Sequence, residues 1–451
     1  MTENATPLPD KSSIFSRRQF LKTGSLAGAG LLVSSSLPNG LRAAGANEVI
    51  NLAIVGTGAQ GRVLIEAALN IPNIRFAAVC DIWEYSLRYG SGILRKFGHP
   101  AVAYTDFHEM LEKEKDLDAV LIATPDFWHA PMTRDALQAG LHVYCEKMMS
   151  NTVDGARSMV QAARDTGKLL QIGHQRRSNP RYIYAREKVI GLAGLLGRIT
   201  SVNGQWNRAV SEDLGWPDKY PIEESVLKKY GYDNMHEFRN WRWYKKYGGG
   251  PISDLGAHQI DIYHWFLDTK PKSIMASGGC DYYTNHEWYD NVMAIYEFDT
   301  TAGPVRAFYQ VLTTTSAGGG YWEYFMGTEG ALKMSENPSF TRLFRENSAP
   351  EWTDWEKRGL VNKVGGSENQ QAKTTIDIRE TAAPSAWSMP VTLDKAIHQP
   401  HIENFLDAMR GQAELNCPAE EAFLTEVTVL KVNEAIEAGK TLEFTDADFT
   451  I

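Results

Sequence analysis

Cysteine is scarce in this chain: four residues, Cys80, Cys145, Cys280 and Cys417, among 451. None forms a C-x-x-C pair or another short spacing, so the pattern offers neither a disulfide framework nor a zinc site, and all four read as small buried hydrophobes. Positive charge is also short. Lys and Arg total 46 against 55 Asp and Glu, a formal net charge of -9, which argues against nucleic acid or an anionic membrane surface as the main partner. Long apolar runs are missing as well. Outside one N-terminal segment nothing approaches the roughly 18 residues of a membrane span, so no membrane anchor is expected. With 43% hydrophobic and 22% charged residues, the composition is that of a soluble globular protein long enough for two domains. Aromatics, by contrast, are plentiful: 12 Trp and 19 Tyr. Flat rings stack on sugars and also fill cores, and composition leaves both uses open.

The N-terminus carries "SRRQFLK" (Ser16 to Lys22), a modest apolar stretch, and an A-x-A site at Ala44 to Ala46. Paired arginines ahead of such a stretch make a twin-arginine export signal over 1–46, so the translocase of that pathway is an expected partner and the periplasm the expected compartment. With no Cys near the segment, a lipoprotein anchor is not expected.

Next comes "VINLAIVGTGAQGRVLIEAALNIPNIRFAAVCDIW". Ile50 to Val55 reads as a buried strand, Gly56, Gly58 and Gly61 as G-x-G-x-x-G, "RVLIEAALN" as a helix, and "IRFAAVCD" as a second strand closed by Asp81. Gly56 permits a tight turn, Gly58 lets backbone approach a pyrophosphate, and Gly61 allows close helix–strand packing. The helix N-terminus offers free amides to phosphate. Asp81, 20 positions beyond Gly61, would accept from the ribose hydroxyls and repel a 2′-phosphate, which favours NAD over NADP. Strands and helices then alternate through "LLQIGH", the pattern of a parallel sheet covered on both faces, with ligands at the carboxyl ends of its strands. Thr124, Pro125 and His129 occupy one such end; Glu146 and Lys147 occupy the next. With Gln60 they complete the candidate cofactor-binding set.

After Gly173 the character changes. Strand-like stretches at "KSIMASGGCDYY", "NVMAIYEF", "VRAFYQVLTT", "YWEYFMGTEGALKM" and "WSMPVTL" suggest a mostly antiparallel sheet. Between Asn207 and Tyr247 lies a long aromatic insertion, expected to cover a pocket, whereas Val364 to Thr375 reads as a polar surface loop. Arg176, in a segment expected to cross beneath the substrate, and Trp206, Trp241 and Trp243 are candidate substrate residues. In "GGGPISDLGAHQIDIYHW", Asp254, His258 and Asp261 fall at i, i+4 and i+7 of a helix starting near Ser253, sharing a face with Trp265. Asp254 reads equally as an N-cap, His258 as a core histidine, and the trio as a metal site lacking a further ligand; no metal is expected. Gly248 to Gly250 are expected to let the backbone pass close to substrate.

Taken in order, "AIVGTGAQG", "ATPDFWHA", "AGLHVYCEK", "GGGPISDLGAHQID" and "HIENFLDAMRG" resemble the glucose-fructose oxidoreductase and inositol dehydrogenase family, Gfo/Idh/MocA. The resemblance implies an N-terminal Rossmann dinucleotide-binding domain (47–172), a C-terminal α+β domain (173–451) with a large, mostly antiparallel open sheet, NAD(P) between them, and a homodimer or homotetramer. It also implies that Lys147, Asp254 and His258 meet around a reacting hydroxyl of a sugar, polyol or glycoside: His258 as general base, Lys147 on the developing alkoxide, Asp254 orienting substrate or tuning Lys147. One position departs from the family: Met148 stands where Glu-Lys-Pro is usual, and a cis bond before a residue other than proline costs about 2.5–4 kcal/mol. An exported enzyme has no expected supply of soluble NAD, so the cofactor is expected to be held tightly and restored within the cycle. That fits net transfer between two carbonyl/alcohol couples, or redox-neutral glycoside cleavage through a transient keto-sugar. A non-catalytic sugar or cofactor sensor is the remaining alternative.

Overall fold

The computed structural model describes residues 49–364 and 384–451; the export signal expected at 1–46, and the polar loop expected at Val364 to Thr375 beyond its first residue, lie outside them. The first sheet is built by β1 (Ile50–Val55), β2 (Ile74–Cys80), β3 (Val102–Tyr104), β4 (Ala119–Ile122), β5 (His142–Cys145) and β6 (Leu170–Ile172). All its pairings are parallel, in the order β3-β2-β1-β4-β5-β6. The order reverses between β1 and β4, which opens a crevice at their carboxyl ends. Apolar β-branched runs such as INLAIV and AVLI form the central strands because both faces are covered. The connecting helices start and stop where local chemistry dictates. Thr152 caps Val153–Thr166 by accepting from the Gly155 amide, and Gly167, at φ +64, ends that helix in a left-handed turn.

The second sheet has ten strands: β7 (Ile199–Asn207), β8 (Pro271–Gly279), β9 (Asn291–Thr300), β10 (Gly303–Leu312), β11 (Tyr321–Gly327), β12 (Gly330–Met334), β13 (Arg342–Arg345), β14 (Asn362–Lys363), β15 (Ser385–Ser388) and β16 (Leu442–Glu443). Their order is β14-β15-β13-β12-β11-β7-β10-β9-β8-β16, antiparallel throughout except for the parallel β7–β10 pair. Cys280, expected to be buried, is exposed, because β8 ends at Gly279 and leaves it in the following loop.

Two C-terminal helices return to the first sheet. Helix α1 (Gln399–Met409) sends Ile402, Phe405 and Leu406 into the core formed with Ile50, Leu52 and Tyr144 on one face. Helix α2 (Ala419–Ala438) places Ala422, Phe423 and Val427 against the other face, and Val429, Val432 and Ala435 in the core of the second sheet. One helix is thus shared by two hydrophobic cores.

The insertion after Asn207 is an ordered strap with short helices at Glu224–Lys229 and Met235–Arg239. Ile222, Leu227, Tyr230, Tyr232, Met235 and Tyr247 pack around Trp83 of the first domain. Trp83 Nε1 donates to Tyr220 O at 2.6 Å, Trp128 Nε1 to Tyr230 O at 3.2 Å, and Lys229 Nζ to Asp106 at 2.7 Å. The strap is fixed at its base by Asp213, whose carboxylate meets His236 and His286, each at 2.9 Å.

Candidate active site

A cavity of about 890 Å³ lies at the carboxyl ends of β1, β4 and β5, walled on its far side by the strap and by the segment after Gly250. At its inner edge Gly56 has φ +83, and a Cβ there would lie 2.5 Å from Ala123 O. Gly61 is tighter still: its Cβ would meet Gly56 O at 1.8 Å, so it packs the helix onto the turn and does not wall the cavity. Gly58 is open on that side, with nothing within 4 Å, and it precedes helix Ala59–Ala68 without any side-chain cap. The first amides of that helix therefore face the cavity without side-chain partners, a ready anion site.

Asp81 lines the same end. Its carboxylate accepts from Thr57 N (2.7 Å), Thr57 Oγ1 (3.0 Å) and Trp83 N (2.8 Å); burial nevertheless raises its pKa against these bonds and the nearby Arg62. Gln60 Nε2 donates to Glu146 Oε1 at 3.0 Å and lies 3.1 Å from His398 Nε2. Thr124 and Pro125 wall the middle. His129 is buried; its Nδ1 lies 2.6 Å from Met148 O, and burial lowers its pKa to about 4. As a neutral ring it donates there and positions the backbone behind Lys147. The Lys147–Met148 peptide bond is cis.

Lys147, Asp254 and His258 come together across the domain boundary. Lys147 Nζ donates to the Asp254 carbonyl oxygen at 2.5 Å and lies 3.8 Å from its Oδ1. Arg242 Nε donates to Asp254 Oδ1 at 2.9 Å, and Arg208 approaches Oδ2 at 3.7 Å. Burial opposes the charged carboxylate, yet Arg242, Lys147 and Arg208 together hold Asp254 below the ordinary range, so it stays ionised. His258 moves the other way. Burial, reinforced by Lys147 and Arg176, pushes it well below the usual histidine value, and its Nδ1 has no partner. Its ring lies 5.5 Å from that of Trp206, which also stacks on Tyr321 at 4.3 Å.

The helix carrying this pair differs from the expected one. It begins at Gly250 and Pro251, upstream of Ser253, and residues Ile252–Gly256 form a π turn before α-helix Ala257–Leu267. Neither Ser253 nor Asp254 is a cap. Asp254 and His258 wall the cavity, while Asp261 is drawn away to Arg177 (2.8 Å) and Thr425 (3.0 Å), and burial opposed by Arg177 leaves its pKa at about 2. Among the described residues no cluster of His, Cys, Asp and Glu is arranged to hold a metal ion. The three glycines also serve a different purpose from the expected one. Cβ atoms at Gly248, Gly249 and Gly250 would lie 2.8 Å or less from Trp241, Ser253 and Trp288, so they admit protein side chains.

Of the candidate substrate residues, Trp206, Trp241 and Trp243 wall the cavity, but Arg176 does not. It is 1% exposed and paired with Glu323 and Glu336 beneath the second sheet, so the reading of Arg176 as a substrate contact is corrected. Among the cavity residues that escaped sequence reasoning are Asp126, Arg208 and Arg242. Asp126 stands inside the quoted "ATPDFWHA", while both arginines follow a cavity tryptophan (Trp206-Asn207-Arg208, Trp241-Arg242); no periodicity marks them.

The residues fit a dinucleotide: an uncapped helix start, an open glycine and Asp81 line one cavity, walled also by Thr124, Pro125 and His129. Residues 50–174 match the oxidoreductase family with the NAD-binding Rossmann fold, GFO/IDH/MocA, and residues 185–333 match the C-terminal domain of the same family. The chain belongs to the Gfo/Idh/MocA family. Among relatives in the family, an inositol 2-dehydrogenase of Rubrobacter xylanophilus is 28% identical over 202 residues, 44% of this chain and 53% of the relative. A glycosyl hydrolase family 109 protein of Solibacter usitatus is 29% identical over 261 residues, 55% of this chain and 56% of the relative. The chain thus spans about half the length of the curated relatives it matches. Among solved structures, the WlbA dehydrogenase of Bordetella pertussis, in complex with NADH and UDP-GlcNAcA, shares the fold with a TM-score of 0.62 and 17% identity, over 88% of this chain and 99% of that one.

Proposed function

We propose that this Gfo/Idh/MocA member is an NAD-dependent oxidoreductase acting on a secondary hydroxyl of a sugar, polyol or glycoside. The observation that carries the reading is the convergence of Lys147, Asp254 and His258 in the cavity that also holds the glycine loop and Asp81. Bound NAD supplies a hydride acceptor. The neutral imidazole of His258 accepts the hydroxyl proton, Lys147 Nζ donates to the oxygen as charge develops, and ionised Asp254 fixes Lys147. Trp206, Trp241 and Trp243 offer stacking faces for a sugar ring.

Retention of the cofactor belongs to the same proposal. The strap bridges the mouth of the cavity and is fastened on both domains, so release of a dinucleotide requires its detachment. This agrees with export through the twin-arginine route, where the cofactor is inserted before transport. A homodimer or homotetramer through the second sheet completes the reading. The likeness to glycosyl hydrolase family 109 proteins supports a second chemistry at the same site, in which oxidation acidifies a neighbouring C–H, a glycosidic substituent is eliminated, and hydride returns.

The protein purified without added cofactor is expected to carry a dinucleotide, identified by mass and absorbance, and to reduce it with members of a sugar, polyol and glycoside panel. Aglycone release with no net change in reduced nicotinamide would select the second chemistry. A protein that neither binds a dinucleotide nor transforms any member of the panel would sink both.

A further inference from the structure

Two arginines wall the cavity beside the reacting groups and have no role there beyond the carboxylate between them. Arg208 directly follows β7, two positions past Trp206, and Arg242 follows Trp241 in the strap. Their guanidinium carbons lie 5.3 Å and 4.3 Å from the rings of those tryptophans, so each stacking face has a cation next to it. Asp254 ties both to the reacting centre. Arg242 Nε donates to its Oδ1 at 2.9 Å, Lys147 Nζ lies 3.8 Å from that same oxygen, and Arg208 Nη1 lies 3.7 Å from Oδ2. The Trp206 ring that carries Arg208 is also 5.5 Å from the His258 ring. A substrate whose reacting hydroxyl sits on Lys147 and His258 therefore has both guanidiniums beside it.

The charge around Asp254 does not close. Lys147, Arg208 and Arg242 stand against one carboxylate; Asp126, which faces Lys147 and Arg242, is a second acid and leaves an excess even when charged. Of the other acids in the wall, Asp81 and Glu146 are engaged at the cofactor end, Glu336 is paired with Arg176, and Glu212 is exposed. Donors are in excess as well. Among the described residues the Arg208 side chain donates no hydrogen bond, and Arg242 donates only through Nε. Water can serve these groups while the cavity is open. A sugar that fills it displaces that water, and a guanidinium covered without a counter-charge is costly. An oxyanion on the sugar removes the cost, because the planar fork of arginine gives two parallel bonds to a carboxylate, sulfate or phosphate.

We propose that the substrate is a negatively charged sugar, one that carries an oxyanion besides the hydroxyl that is oxidised, and that Arg208 and Arg242 select it. The inference rests on the oxidoreductase reading and narrows its substrate class. Trp206 and Trp241 then cover the ring while the adjacent arginines hold its anionic substituent, and Lys147 and His258 are left to the reacting hydroxyl.

The test uses pairs of sugars that differ in charge alone, glucuronate against glucose and galacturonate against galactose, free and as methyl glycosides, with a hexose phosphate and a hexose sulfate beside them. Each is given to the protein purified with its cofactor. Wild type is expected to favour the charged member by at least about tenfold in kcat/KM, the size of hydrogen bonds to charged groups, and to lose part of that preference in added salt. Whichever of carboxylate, sulfate and phosphate gives the largest ratio names the oxyanion. Arg208→Gln is expected to abolish most of the preference, and Arg208→Lys, which keeps the charge, to retain part of it. Calorimetry on the same samples reads binding without turnover: R208Q should weaken the charged sugar at least about tenfold and its neutral partner far less. A wild type that oxidises the neutral member faster, or a preference that R208Q leaves unchanged, overturns the inference and leaves the oxidoreductase reading standing. A wild type that oxidises no sugar, charged or neutral, overturns both.

Discussion

His258 illustrates how much one position depends on its surroundings. Its residue type suggests a group titrating near neutrality, but the buried site keeps it neutral far below that, and neutrality is what a proton acceptor needs. His258→Ala is expected to keep its dinucleotide and lose at least about 100-fold in kcat, checked by nucleotide absorbance and turnover on the same sample; wild-type rates would remove the assignment. Single residues were legible in the sequence where a backbone demand fixes the residue type. Gly56 and Gly61 could be read because the turn admits no Cβ at either place. Arg176 could not, since its partners Glu323 and Glu336 stand 147 and 160 residues away and nothing local announces a buried ion pair. Nor could Asp126, whose character comes from Lys147, Arg242, Asp254 and burial, all supplied by the fold.

At the scale of elements, the alternating strands and helices of the first sheet were readable because apolar runs of strand length sit between helical ones. The π turn was not. It holds Asp254, whereas His258 and Asp261 lie in the α-helix beyond it, and Asp261 turns to Arg177 although spacing alone placed the three together. Helix α2 also escaped, because its apolar residues are spread around it and show little amphipathic period, a consequence of its serving two cores. The strap was legible as a pocket-covering insertion by its aromatics, but its fastening to the opposite domain was not. Trp83→Phe removes the 2.6 Å bond to Tyr220 O while keeping most of the packing. One such bond contributes about 1 kcal/mol, so release of the bound dinucleotide should quicken roughly fivefold, measured by stopped-flow competition with a fluorescent analogue. An unchanged release rate would show that the strap does not gate the cofactor.

For the whole molecule, the second sheet is the unbalanced part. Met275, Met293 and Ile295 stand exposed on one of its faces, with Met275 and Ile295 directly paired across β8 and β9. Apolar side chains gathered on one face of a long sheet fit a subunit interface. Light scattering should then give a dimer or tetramer for the wild type and a smaller species for Ile295→Asp, with no loss of bound nucleotide; an equal mass for both would exclude this face. The shared helix α2 has a consequence for the order of events in the cell. Helices α1 and α2 come after all but the last strand of the two sheets, and until they have been made the first sheet lacks part of its cover on both faces and the second core lacks a wall. Neither half is complete before both helices have been made, so folding of the first domain ahead of the second, the order usual during synthesis, is closed to this pair. The two domains must therefore fold as one unit.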